Sequence, residues 1–203
     1  MISSKVIRLL YSRNHANPHR GHQTICLLIP VVAWCVRAGI VVDYKSKQDL
    51  NMFIVRGLEQ LKLLVGEELG VSAWLEVSQD RVDRFAEATG DDYWIHTDPT
   101  RANAISPFGV TVAHGYLTLS LVTYLSRQIA RVEDCGTAIN YGVDRVRFIN
   151  PVRVGSKIRA RQTILSVTSL KERGVKLINE FIVEIESENK AACIARTLTL
   201  YLP

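Results

Sequence analysis

Cysteine is scarce and scattered in this chain of 203 residues: there are four, and no two form a CxxC pair. That excludes a disulfide framework and a cysteine-built zinc site. Cys26 and Cys35 lie near the start, Cys135 and Cys193 far downstream, and Cys193 alternates with apolar neighbours as a core or sheet residue does. This usage suits a reducing compartment, so a cytoplasmic location is expected. GxGxxG, a P-loop, GxSxG, internal repeats and low-complexity tracts are also missing. Dinucleotide binding, nucleotide hydrolysis and serine-hydrolase chemistry lose their signatures with them. The sequence calls for no cofactor and no metal.

A field of one charge sign is missing too. The net charge of +5 resides wholly in the first quarter: residues 1–51 hold 7 Lys/Arg against 2 Asp/Glu, and residues 52–203 hold 18 of each. The neutral part offers no basic footprint for nucleic acid.

The leader has a polar, basic start with His15, His19 and His22, then the apolar run from Ile25 to Val42. No Cys or carboxylate follows those histidines at ligand spacing, so they read as a solvated tail. The apolar run is at the lower limit for a membrane span and is interrupted by Pro30 and Arg37. It could be an anchor, a targeting segment, or translated upstream sequence with the true start at Met52. The last is the reading taken, which leaves 52–203 as one domain and a membrane role only if 25–42 is a real anchor.

What the chain does have is concentrated in Gly90–Thr123. Ser78 to Ala88 reads as a helix capped by Ser78 and stopped at Gly90. Asp98-Pro99 reads as the next helix start. Asp91 to Thr97 is then a short loop, and a loop can fold Asp91 and His96 towards one point. After the turn signal Ser106-Pro107-Phe108-Gly109, His114-Gly115 opens a stretch to Ala130 with Arg127 as its one charge. A helix apolar on nearly all sides is a buried helix. Its N-terminal N–H groups at Gly115 make a partly positive site, suited to a developing oxyanion.

The frame around this stretch follows the two-residue period. Leu58 to Val65 suggests a helical turn or two, Gly66 to Gly70 a loop, and Val71 to Val77 a first strand. Thr137 to Phe148 looks extended, with a phase shift between Val143 and Val146 that implies a bulge. Strands follow at 158–167, 175–186 and 192–202, the second alternating most cleanly. Helices first and antiparallel strands last make an α+β fold.

Gly90-Asp91, His96, Asp98-Pro99 and His114-Gly115, at this spacing, resemble the MaoC-like dehydratase family, which includes R-specific enoyl-CoA hydratases. The wording Trp94-Ile95-His96, Pro107-Phe108-Gly109 and Ala113-His114-Gly115-Tyr116-Leu117 is most similar to the branch named for nodulation protein N. The likeness runs from about residue 55 to the end. It implies a hot-dog fold, with an antiparallel sheet wrapped around a central helix at 115–131, and a homodimer. It implies that Asp91 and His96 activate water, that Gly115 donates its N–H to a thioester oxygen, and that Thr123 stands where hydratases often place a loop-fixing serine. The substrate would be an enoyl thioester of coenzyme A or acyl carrier protein, with coenzyme A entering only as part of the substrate, in fatty acid metabolism. Tyr93-Trp94 depart from the Asn-Pro of many hydratases and would pack, or line the acyl pocket together with His114.

Each residue also has a plain structural role open to it. Asp91 could be a turn residue, with Asp92 competing for its part; His96 could be a satisfied loop histidine; His114 could brace the turn. Thr123 could bond back to a helix carbonyl. Arg145, Arg147, Arg153, Arg159 and Arg161 could be a solvated sheet face or could meet coenzyme A phosphates. A non-catalytic acyl-thioester-binding protein and an acyl-CoA thioesterase are the alternative functions.

Overall fold

An antiparallel sheet curls around one long helix in the computed structural model, which describes residues 52–171 and 174–202. The leader reading, with its three histidines and the run 25–42, lies outside the described residues. The sheet rests on strict alternation. In β7 (Val175–Ile185), Val175, Leu177, Asn179, Phe181, Val183 and Ile185 are buried and the residues that alternate with them are half-buried. β7 is flanked by β6 (Lys157–Ser169) and β8 (Cys193–Tyr201). β2 (Glu68–Val71) and β3 (Leu75–Glu76) both pair with β6 at one side, and β5 (Ala138–Phe148) pairs with β8 at the other. The order is β2-β6-β7-β8-β5.

Five helices accompany it among the described residues: α1 (Leu58–Leu63), α2 (Gln79–Thr89), α3 (Trp94–Thr97), α4 (Pro99–Ile105) and α5 (Gly115–Ile129). α5 is the central one. It buries Leu117, Leu121, Val122, Leu125 and Ile129 against the concave face of the sheet. Each such side chain contributes about 1.5–3 kcal/mol relative to exposure. No described helix is long and apolar enough to cross a membrane.

This is the α+β hot-dog arrangement expected above, with local differences. The central helix stops at Ile129, not at 131, because Ala130–Glu133 turns extended and forms β4, a parallel partner of β1 (Phe53–Arg56). A partner some 75 residues away in sequence overrides local helix preference there. Part of the expected loop 66–70 is strand for the same reason, since β2 finds its mate in β6. The bulge in β5 is present as a register shift between Val143 and Arg145, and a second one lies between Asn140 and Gly142. α5 is not covered all round: Tyr116 and Tyr124 stand 69% and 54% exposed. β5 is exposed along almost its whole length.

Candidate active site

The loop that carries Asp91 and His96 is fixed at both ends by helix caps. Ser78 accepts the Arg81 N–H at the start of α2, and Gly90, at φ 74°, ends it in the left-handed conformation that glycine tolerates. Asp98 caps α4 by accepting the Arg101 N–H at 2.9 Å, with Pro99 as the first helical residue. The residues between are not all loop. Trp94–Thr97 makes a single helical turn, closed by the Asp98 N–H donating to the Trp94 carbonyl. Thr97 Oγ1 donates to the Asp92 carbonyl at 2.9 Å and ties the turn back on itself.

That turn places His96 against the strand-like segment ahead of α5. The Val112 N–H donates to the Ile95 carbonyl, and His96 Nδ1 lies 2.6 Å from the Val112 carbonyl. A carbonyl accepts only, so Nδ1 carries the hydrogen and Nε2 is left as a free lone pair. His114 comes two residues after Val112 and is 2% exposed. Its ring stacks on that of His96, with centroids 3.8 Å apart and planes at 28°. His114 Nε2 donates to the Asp91 backbone carbonyl at 2.8 Å and stands 3.9 Å from Asp91 Oδ2. Phe85 of α2 also packs on the His114 ring, with centroids 5.0 Å apart and planes at 51°.

Asp91, His96 and His114 therefore converge, with one polar atom from each lying within 4.8 Å of the others. A water making hydrogen bonds of about 2.8 Å can bridge atoms up to roughly 5.6 Å apart, so their spacing is within the reach of one bridging water. Burial pushes the His96 imidazole below its ordinary value of 6.5 and the neighbouring His114 adds to this, while the Val112 carbonyl and Asp91 oppose it. A neutral imidazole with a free Nε2 beside a carboxylate is equipped for proton transfer.

The same three residues are a poorer metal site. A ligating histidine normally anchors its second ring nitrogen. His96 does so on Val112, but His114 spends Nε2 on Asp91 and its buried Nδ1 has no hydrogen-bond partner.

Gly115, next in sequence to His114, begins α5, whose first N–H groups have no intrahelical acceptor. A Cβ at Gly115 would come within 2.9 Å of the Phe148 ring, so glycine is what lets this strand side chain lie against the helix start. Tyr93 is 58% exposed at the rim, and Trp94 sits beside it with Arg101 stacked over its ring at 4.6 Å. Thr123 lies two helical turns beyond Gly115, exposed, on the wall of a cavity, and no hydrogen bond joins it to the Asp91 loop among the described residues. Of the arginine run, Arg153, Arg159 and Arg161 are paired with Glu188, Glu184 and Glu68. In Glu184, burial pushes the carboxyl up, but the hydrogen bonds from Arg159 and Arg161 win and hold it below its ordinary value.

One supporting residue has no counterpart in the reading of the sequence. Gln79, at the first turn of α2, donates to the His96 carbonyl at 2.7 Å and accepts from the buried Thr111 hydroxyl at 2.6 Å. It joins α2, the His96 turn and the segment before α5. Nothing in its local sequence marks it, since both partners are remote along the chain.

Comparison with known proteins bears on this geometry. Residues 61–184 match the family described as MaoC like domain. The 3-hydroxyacyl-thioester dehydratase Z of Mycobacterium tuberculosis (strain H37Rv) is 43% identical over 142 residues, covering 70% of this chain and 93% of that protein. Nodulation protein N of Rhizobium meliloti is 42% identical over 145 residues, 70% of this chain and 89% of that one. Among solved structures, an (R)-hydratase from A. caviae involved in PHA biosynthesis superposes with a TM-score of 0.55 at 20% identity, covering 68% of this chain and 96% of that one, which is a likeness of fold.

Proposed function

The chain belongs to the MaoC-like domain family, and on that footing we propose that it is an enoyl-thioester hydratase and 3-hydroxyacyl-thioester dehydratase, adding water reversibly to a trans-2-enoyl thioester. The observation that carries this is the pairing of a tautomer-locked His96 with Asp91 at the start of α5. A 3-hydroxyacyl-thioester dehydratase among the relatives of near-full coverage points to the same chemistry.

In the hydration direction, His96 Nε2 takes a proton from water while the water oxygen bonds to the β-carbon. The π electrons pass to the thioester oxygen as an enolate. The Gly115 N–H and the positive end of α5 hold that charge. Asp91 accepts a hydrogen bond from the water, and the proton that His96 takes from that water is passed through Asp91 to the α-carbon, so both residues end as they began; the two residues' parts can also be exchanged. Water is consumed and nothing is oxidised or reduced, so the reaction calls for no redox cofactor. The carrier is coenzyme A or acyl carrier protein, and the product the (3R)-hydroxyacyl thioester.

We also place the working unit as a homodimer. β5 has one strand neighbour among the described residues, and Tyr116, Tyr124, Ile139, Tyr141, Val143 and Phe148 leave a broad apolar face beside it. An uncovered edge with such a face invites pairing with a second copy.

The test is crotonyl-CoA: the enoyl absorbance falls and (3R)-hydroxybutyryl-CoA accumulates. Release of free thiol instead would make the protein a thioesterase. Binding without turnover on coenzyme A and acyl-carrier-protein substrates alike would make it an acyl-thioester-binding protein.

A further inference from the structure

We propose that His114 is a positioning residue for the reaction: it tethers Asp91 to His96 without touching the substrate itself. The proposal rests on the hydratase reading above and assigns what that reading leaves open, namely what holds the Asp-His pair together.

Asp91 needs such a tether. It follows Gly90, the left-handed end of α2, it precedes the turn that carries His96, and its side chain is 53% exposed. Among the described residues its carboxylate accepts no hydrogen bond. Its N–H reaches only the Thr89 hydroxyl, two residues back and at a long 3.4 Å. The one bond that comes to it from a distant segment, among those residues, is the His114 Nε2–H donated to its carbonyl at 2.8 Å across 23 positions of sequence. The same Nε2 stands 3.9 Å from Asp91 Oδ2, so the donor lies beside the carboxylate as well.

His114 is held more firmly than the loop it holds. It ends a short extended segment that is bonded to a second one: the Ala113 N–H donates to the Val152 carbonyl at 2.8 Å, and the Val154 N–H to the Thr111 carbonyl at 2.9 Å. Val112 and His114, two apart on this segment, fix the His96 ring from two directions. The Val112 carbonyl takes the Nδ1 hydrogen at 2.6 Å, and His114 lies across the ring face with centroids 3.8 Å apart. One side chain thus touches the backbone of Asp91 and the ring of His96. At 2% exposure it has almost no surface to offer a substrate.

A histidine that only fills the core is the plain alternative. A phenyl ring would fill the same place against Phe85 and leave no orphaned nitrogen, whereas His114 keeps a buried Nδ1 without a partner. An unpaired buried polar atom destabilises a fold. What the imidazole offers that a phenyl ring lacks is the Nε2–H at Asp91.

The experiment compares His114→Phe, which keeps a ring and loses the donor, with His114→Gln, whose amide nitrogen restores a donor near the place of Nε2 and loses the ring. Should the phenyl ring not fit, His114→Leu takes its part. Melting temperature, kcat and KM for crotonyl-CoA, and amide hydrogen exchange over residues 90–97 are measured on the full chain. The Phe variant melts above the Gln variant, since it buries no unpaired polar group. Its kcat nonetheless falls about ten- to a hundredfold below wild type with little change in KM, the scale of an ångström's misplacement, and the Gln variant is the more active of the two. Exchange over 90–97 quickens about three- to tenfold in the Phe variant, the size of one hydrogen bond, and returns towards wild type in the Gln variant. Activity that follows stability, a raised KM at unchanged kcat, or unaltered exchange overturns the proposal. Exchange is read without substrate, so the expected change in a protein that never hydrates crotonyl-CoA would uphold the tether and refute the hydratase reading.

Discussion

Replacing Gly115 by alanine puts one methyl group where the fold has no room for it. The new Cβ would lie 2.9 Å from Phe148 Cδ2 and Cγ and 3.0 Å from Cε2. Ordinary carbon contacts run about 3.5–4.0 Å, so something has to move by about half an ångström or more. The backbone of Gly115 is helical and is not the obstacle. Phe148 is 46% exposed, so its ring can swing outward and the stability cost sits near the low end of overpacking, about 1 kcal/mol. The ring would also lose its edge contact with Tyr116, now at 5.8 Å between centroids. If the ring does not yield, the start of α5 shifts and carries the proposed oxyanion donor with it. Complete loss of such a donor costs about two to three orders of magnitude in rate. A partial shift is expected to lower kcat by about ten- to a hundredfold with little change in KM. Phe148→Ala in the same chain removes the clash and should return most of kcat. The assay is loss of enoyl absorbance under saturating crotonyl-CoA for both single variants and the double variant. Wild-type kcat in Gly115→Ala, or no recovery in the double variant, would refute the assignment of this helix start to the oxyanion.

Three further outcomes follow from the geometry. Because the His96 pKa is lowered from 6.5, the folded protein binds fewer protons than the unfolded chain between the folded value and 6.5. Stability from this group is then complete above pH 6.5 and declines as pH falls below it; kcat/KM loses activity on an acid limb also centred below 6.5, and urea melts across pH for wild type and His96→Gln check both. Gln79→Leu removes the bond to the His96 carbonyl and strands the buried Thr111 hydroxyl, which should cost about 1–3 kcal/mol in a urea melt and reduce kcat, whereas a variant as stable and active as wild type would deny Gln79 its bracing role. Val143→Lys on the exposed β5 edge should turn a dimer into a monomer by light scattering, and an unchanged mass would place the interface elsewhere.

Sequence reading reached furthest where a local rule was enough. The two-residue alternation of Val175 to Ile185 marks β7, and the phase slip after Val143 marks the bulge in β5, because side chains on a strand must alternate faces. Ser78, Gly90 and Asp98-Pro99 set the ends of α2 and α4, because caps act within a few residues. The short loop between two helices pointed Asp91 and His96 to one place, but it could not show that His114 joins them, that the two imidazoles stack or that Val112 fixes the tautomer. Those contacts depend on how a later segment folds back. β1 and β4 escaped for the same reason: four-residue runs carry too little pattern, and each is defined by the other across the chain. Gln162, Asn179 and Thr197 are far apart in sequence and meet only in the sheet, where Thr197 faces Asn179 in register and Gln162, whose own register partner is Phe181, reaches Asn179 by a side-chain hydrogen bond.

The proposed chemistry stands or falls on whether His96 and Asp91 together activate water on an enoyl thioester. The most direct measurement is the rate of crotonyl-CoA hydration by wild type, His96→Ala and Asp91→Asn, each shown to be folded by its melting curve. Steady loss of the enoyl band is expected with wild type and its near-absence, by a factor of at least about a hundred, in both variants. Wild-type rates in both folded variants would contradict it.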